Sequence, residues 1–278
     1  IPQEAAYRLR NPLARGQQLE DEWQAKLESY GKAYPELFRQ WNQRTDAHLP
    51  AGWDKDIPSF PPDPQGMATR SAGGKVMNAI AAQLPSLIGG SADLNPSTNT
   101  ALKGRGNFQY PRPEERPVQG SETGPWSYGG TNLYFGVREH GMGSILNGMA
   151  LHGGILPYGS TFLVFSDYMR PSIRLAAIMK LHLIYVFTHD SIALGEDGPT
   201  HQPIEHLAGL RAIPGLTVIR PADAKETAEA GRCAIHRRTG PTALVLTRQK
   251  IPLIDRTRYA AARGLARGAY VLADAPPG

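Results

Sequence analysis

Cysteine is nearly missing from this chain of 278 residues, in which Cys233 stands alone. One thiol excludes an intrachain disulfide framework and fits a reducing, cytoplasmic compartment. Long apolar runs are missing too. No stretch approaches the roughly 18 uninterrupted apolar residues of a membrane span, because Gly, His and Ser break the richest segments. No membrane partner is expected, and the first residues lack the basic region and apolar core of a secretion signal. Basic clusters with interleaved aromatics are also absent. The 30 Lys and Arg outnumber the 25 Asp and Glu but are dispersed. That distribution argues against nucleic acid and fits small anionic ligands, for which a few placed guanidinium groups suffice.

What is present is ordinary for a soluble globular protein, with 41% hydrophobic and 20% charged residues. The length allows one large domain or two smaller ones. Residues 1–65 differ from the rest. Gln17 to Gln43 is a charged helical segment whose Trp23, Leu27, Tyr30, Tyr34, Leu37, Phe38 and Trp41 form one aromatic-apolar face. Pro35 kinks or divides it. Leu49 to Gln65 carries five prolines and reads as an extended connector and domain boundary.

From Met67 to Leu246 helix and strand alternate. Helices are expected at 70–84, 139–152, 162–181, 203–211 and 224–237. Strands are expected at 87–91, 131–135, 155–158, 183–188, 216–220 and 242–247, with a Gly/Pro/Asn-rich loop over 93–130. Strands separated by helices of this length imply an α/β fold, a doubly wound parallel sheet flanked by helices and preceded by a helical arm. Ligands in such sheets bind at the carboxyl ends of the strands. The segment 268–274 reads as a strand opening a further domain.

Candidate chemistry falls after the expected strands. Glu139 stands at an apolar strand-to-helix junction, where partial desolvation would raise its pKa and suit it to sharing a proton; a carboxylate facing the helix dipole is the plainer alternative. The loop 89–97 offers Asp93, Ser97 and several backbone N–H groups that can cradle an anion, with a capped turn as the plainer alternative. The loop 188–203 brings His189, Asp197 and His201 beside the sheet. His201 and His206 have metal-like spacing, but no Cys pair or His-Glu-x-x-His motif accompanies them, so hydrogen bonding to a polyhydroxylated substrate is the stronger reading. Phe162, Phe165 and Tyr168 recur at three-residue spacing on one expected helix. Such stripes are usually core, with a stacking platform for a flat heterocycle as the alternative. Arg248 follows an apolar strand directly.

Together Phe135-Gly136-Val137-Arg138-Glu139-His140-Gly141-Met142, Thr188-His189-Asp190-Ser191, Gly195-Glu196-Asp197-Gly198-Pro199-Thr200-His201-Gln202-Pro203 and Arg220-Pro221-Ala222-Asp223 resemble transketolases; Arg70 and the 89–97 run also fit. The resemblance covers essentially the whole chain but only the middle third of such an enzyme. It implies a linker arm over 1–65, a pyrimidine-binding α/β domain over 66–250 and the start of a C-terminal domain over 251–278. It implies reversible transfer of a two-carbon ketol group between sugar phosphates of the pentose phosphate pathway, by a homodimer with thiamine diphosphate between subunits. Glu139 would hydrogen-bond N1′ of the aminopyrimidine, Phe162 and Phe165 would stack on that ring, and Tyr168 would complete the pocket. His189, Asp197 and His201 would contact substrate hydroxyls, with His189 a proton shuttle. Arg70, Ser97, His201 and Arg248 would hold the sugar phosphate.

The family's metal and diphosphate motif, a Gly-Asp-Gly followed further on by Asn, is absent from these residues. The Mg²⁺ or Ca²⁺ ligands are therefore expected from another domain, none from this chain, which should be inactive alone. A dihydroxyacetone synthase shares these motifs, and deoxyxylulose-phosphate synthases and 2-oxoacid dehydrogenase beta subunits share parts of them. A non-catalytic assembly subunit is the rival from another class, but it has no physical need for Glu139, His189, Asp197, His201 and Arg248 together.

Overall fold

The computed structural model describes residues 1–46, 48–111 and 126–275. Part of the 93–130 loop therefore lies outside the described residues. Two compact units divide the chain, 1–48 and 49–278. The first holds α1 (Gln3–Ala33) and α2 (Pro35–Thr45). Pro35 divides the helical segment at the first position of α2, where its missing N–H costs nothing. Trp23 of α1 meets Trp41 of α2 at 6.5 Å between ring centroids.

The second unit is built on an eight-stranded, wholly parallel sheet. In chain order its strands are β2 (Leu87–Ser91), β3 (Asn107–Phe108), β4 (Trp126–Ser127), β5 (Asn132–Tyr134), β6 (Leu156–Phe162), β7 (Ile184–Thr188), β8 (Thr217–Ile219) and β9 (Thr242–Val245). The spatial order is β4-β3-β5-β2-β6-β7-β9-β8. β2 is central, and the chain leaves it first toward β5 and then toward β6, which makes a switch point between them.

The helices are α3 (Thr69–Gln83), the short α4 (Asn95–Thr98), α5 (Glu139–His152), α6 (Ser166–Ile178), α7 (His206–Arg211) and α8 (Ala224–His236). They cover both faces. Val76 and Ile80 of α3 and Ala230 and Ala234 of α8 share one apolar cluster with Trp53 and Phe60; Met142 and Leu146 of α5 and Met169 and Ile173 of α6 share the other with Tyr185 and Phe187. The central strands β7 and β9, buried on both faces, are nearly continuous apolar runs for this reason. Gly143 lets α5 and α6 approach: a Cβ there would run into Ser172. Asp223 caps α8 by accepting from the Glu226 N–H at 2.8 Å, while Glu226 accepts from the Ala222 N–H, also at 2.8 Å. This reciprocal cap contributes about 1 kcal/mol.

Several local expectations change. Phe162 closes strand β6, Leu163–Phe165 is a tight 3₁₀ turn and α6 starts only at Ser166, so the three aromatics do not share a helix. β6 extends four residues past the expected strand because Ser160 and Thr161 satisfy their hydroxyls inside, Ser160 with Gly90 and Thr100, and Thr161 with Glu139. The Pro-rich connector ends in a strand: β1 (Asp63–Ala68) pairs antiparallel with β10 (Lys250–Leu253), and prolines in both had hidden the ribbon. Residues 268–274 form no strand; a 3₁₀ turn over Ala262–Arg267 precedes them, and Arg256 ties the segment down through Tyr270, Asp223 and Glu226. Among the described residues no helix is long and apolar enough to cross a membrane.

Candidate active site at the carboxyl edge of the sheet

Every candidate residue lies where a strand ends or where a helix returns to the same edge. Ser97 follows β2, Glu139 follows β5, Phe162 ends β6, His189 follows β7 and Arg248 follows β9. Arg70 arrives differently, from the first turn of α3.

Two Thr-Arg pairs bring the arginines together. The Thr69 N–H donates to the Thr247 hydroxyl at 2.9 Å and the Thr247 N–H donates to the Thr69 hydroxyl at 2.7 Å. With the β1–β10 ribbon beside it, this staple sets Arg70 next to Arg248. Burial, then the neighbouring Arg248 charge, lowers the Arg70 pKa, with Asp197 opposing. Arg70 Nη1 donates to the Ser97 carbonyl at 2.6 Å, and its buried Nε has no partner. Two guanidinium groups held close with an unpaired donor have the chemistry to hold an anion.

Glu139 is the first residue of α5 and is 6% exposed. Its Oε1 accepts from the Thr161 hydroxyl at 3.1 Å. A ladder of rings gathers after Thr161. The His189 imidazole stacks on Phe162 at 3.7 Å, Phe162 on Phe165 at 5.8 Å and 9°, and Tyr168 tilts against Phe165 at 6.0 Å. Phe162 is buried, Phe165 half-buried and Tyr168 exposed. The aromatics are thus neither plain core nor plain surface.

His189 is buried and has φ +58°, in the left-handed region. Its Nδ1 lies 2.8 Å from the Thr188 hydroxyl. Burial above all, then the Arg70 charge, lowers its pKa to about 4, with Asp197 opposing. The imidazole is neutral near pH 7. His201 stands edge-on to Phe165 at 5.3 Å, with its Nδ1 2.8 Å from the Thr200 hydroxyl. Asp197 is exposed in the same loop. Gly195, φ +100°, turns that loop where a Cβ would meet the Arg248 guanidinium at 3.3 Å.

Asp93, φ +63° and exposed, sits in the turn after β2. His206 goes elsewhere: its Nε2 pairs with Asp167 at 3.0 Å, tying α7 to α6. Asp167, Glu205 and His206 are the one group of metal-ligand type among the described residues. Arg170 already occupies the other Asp167 oxygen at 2.8 Å, which opposes a cation. Sequence reasoning missed Thr161 and the Thr69–Thr247 staple. The repeated Thr-Arg pair was a usable signal for the staple; nothing marked Thr161.

A buried carboxylate, a buried histidine and two neighbouring arginines, set along the carboxyl edge at a switch point, belong to an α/β domain of the doubly wound parallel class. The particular family follows from comparison. The chain belongs to the transketolase family through its pyrimidine-binding domain: the family described as "Transketolase, pyrimidine binding domain" matches residues 65–253. The chain is 50% identical over 279 residues to a transketolase of Geobacillus stearothermophilus, covering 100% of this chain and 39% of that protein. It is 48% identical over 274 residues to the transketolase of Aquifex aeolicus, covering 99% of this chain and 37% of the relative. A solved transketolase from Pichia stipitis, in complex with sedoheptulose-7-phosphate, superposes with TM-score 0.88 at 39% identity, covering 99% of this chain and 39% of that one. A split-gene transketolase described as an inactive beta4 tetramer is more distant, with TM-score 0.51 at 25% identity, covering 68% of this chain and 54% of that one. The chain spans well under half the length of the curated relatives it matches.

Proposed function

We propose that this chain supplies the pyrimidine-binding half of a transketolase active site, transferring a two-carbon ketol group from a ketose phosphate to an aldose phosphate. The observation that carries the reading is the buried Glu139 carboxylate beside the His189–Phe162–Phe165–Tyr168 ladder. These residues fit the aminopyrimidine of thiamine diphosphate. Thr161 engages Oε1 of Glu139 and leaves Oε2 to a ring nitrogen, and the half-buried Phe165 and exposed Tyr168 can receive a flat heterocycle against the buried Phe162. They do not extend to the diphosphate end, which needs oxygen ligands for Mg²⁺ or Ca²⁺ that the remaining length of the protein, or a second polypeptide, would bring. When bound, thiamine diphosphate supplies the nucleophilic carbon that carries the two-carbon unit.

The chain's own residues then divide the work. Glu139 holds a proton at N1′ and sets the charge state of the pyrimidine. Phe162, Phe165 and Tyr168 orient it and keep water away. His189, neutral at pH 7, takes and returns a proton at the substrate hydroxyl, while Asp197 and His201 hold the neighbouring hydroxyls. Arg70 and Arg248, with Ser97 and His201, hold the sugar phosphate; the ligand named in the Pichia structure is a sugar phosphate of this class. Residues 1–65 as linker arm, 66–250 as the pyrimidine domain and 251–278 as the start of a further domain, a homodimer with the site between subunits, and a cytoplasmic role in the pentose phosphate pathway belong to the same reading.

The test is ketol transfer with thiamine diphosphate and Mg²⁺, for the chain alone and for the chain joined to the diphosphate-binding portion of a transketolase. Turnover is expected only in the second. No turnover in either would favour the assembly-subunit reading, and preference for formaldehyde over aldose phosphates would favour dihydroxyacetone synthase.

A further inference from the structure

The Arg220-Pro221-Ala222-Asp223 run has only part of its work accounted for. Asp223 caps α8 and Pro221 ends the edge strand β8, but neither role needs an arginine at 220. Arg220 reaches past the end of β9, the strand between β8 and β7, and its Nε donates to Asp190 Oδ2 at 2.7 Å. The Asp190 side chain is wholly buried, and its Oδ1 has no partner. Arg220 is therefore the one group that compensates this carboxylate among the described residues.

Asp190 follows His189, whose φ of +58° is disfavoured for any residue with a Cβ. Such a conformation persists only when its surroundings over-determine it. Thr188 is fixed in β7 on one side, and Asp190 is fixed by Arg220 on the other. Between these two anchors the imidazole lies on Phe162, and its Nδ1 meets the Thr188 hydroxyl. Nε2 is left as the nitrogen open to a substrate.

We propose that Arg220 is a positioning residue that, through Asp190, holds His189 in the left-handed backbone conformation that lays its imidazole on Phe162. The rival is an ion pair that merely fastens β8 to β7. The two differ in what happens to His189 when the pair is cut. Charges facing that imidazole come from Arg70, Asp197, Arg248 and His201, none of which Arg220 contacts in the structure. The catalytic consequence rests on the proposed function; the conformational one does not.

The experiment uses the full-length protein labelled at histidine, with Arg220→Gln, Arg220→Lys and the double variant Asp190→Asn/Arg220→Gln, the last removing the buried charge so that it folds if the single variant does not. In the wild type, His189 should titrate near pH 4 with a ring-current shift from Phe162. In Arg220→Gln and in the double variant the ring-current shift should shrink and the midpoint should climb toward about 6.5. Ketol-transfer kcat should fall by up to about 10²-fold, with KM for phosphorylated substrate nearly unchanged, and Arg220→Lys should recover part of each. An unchanged His189 shift and midpoint, whatever happens to Tm, would overturn the proposal and leave only a fastening role. Release of His189 with undiminished turnover would uphold the positioning role while removing His189 from the reaction.

Discussion

The two halves of the carboxyl edge are built by opposite means. On the Glu139 side a carboxylate is 6% exposed and a single hydroxyl serves it. On the Arg70–Arg248 side two cations stand together, with one donor left unpaired. Burial makes a group selective for one proton or one ring; uncompensated charge makes it selective for an anion. His189 sits where the two meet and feels both, since burial first and Arg70 second hold its pKa to about 4.

If that division is real, substitutions on the two sides should fail differently. The largest effect is expected on the buried side. Glu139→Gln should cut kcat by about 10²–10⁴-fold with the circular dichroism spectrum intact, because an amide cannot share the proton. Turnover near wild type would remove the cofactor assignment. Next comes Arg248→Ala, which loses charge-assisted hydrogen bonds worth about 1.5–3 kcal/mol. KM for a phosphorylated substrate should rise about 10–100-fold, while an unphosphorylated analogue is nearly unaffected. Equal losses for both would make Arg248 structural.

Smaller effects probe the border. Thr161→Val should lower kcat about tenfold, in line with a lost hydrogen bond to a charged group, and the conservative Thr161→Ser should retain most of it. A Val variant as active as the Ser variant would show that Glu139 needs no such support. For His189 the sign follows from its lowered pKa. Between about pH 4 and 6.5 the unfolded chain binds the extra proton, so stability is complete above that window and is lost as pH falls through it. His189→Gln should narrow the difference between urea midpoints at pH 5 and pH 7. An unchanged difference would place the acid sensitivity elsewhere.

Legibility in the sequence followed the same border. Glu139 was readable because its strand, turn and helix are contiguous, and α5 and β2 appeared where local pattern put them. The basic pair was readable residue by residue, but its assembly was not. Thr69 and Thr247 stand 178 positions apart, and the ribbon that aligns them runs through prolines that look like connector. The aromatic ladder's spacing of three suits both a helix and a strand end followed by a tight turn, and the structure forms the second. Thr161 stayed silent because its role depends on Glu139 lying across the sheet, a relation that no local pattern carries.

The most direct test measures kcat/KM for a phosphorylated ketose and its unphosphorylated counterpart in the full-length wild type, Glu139→Gln and Arg248→Ala. The division predicts that Glu139→Gln lowers both and keeps their ratio, whereas Arg248→Ala collapses the ratio. A ratio that moves with Glu139, or stays fixed with Arg248, would contradict it.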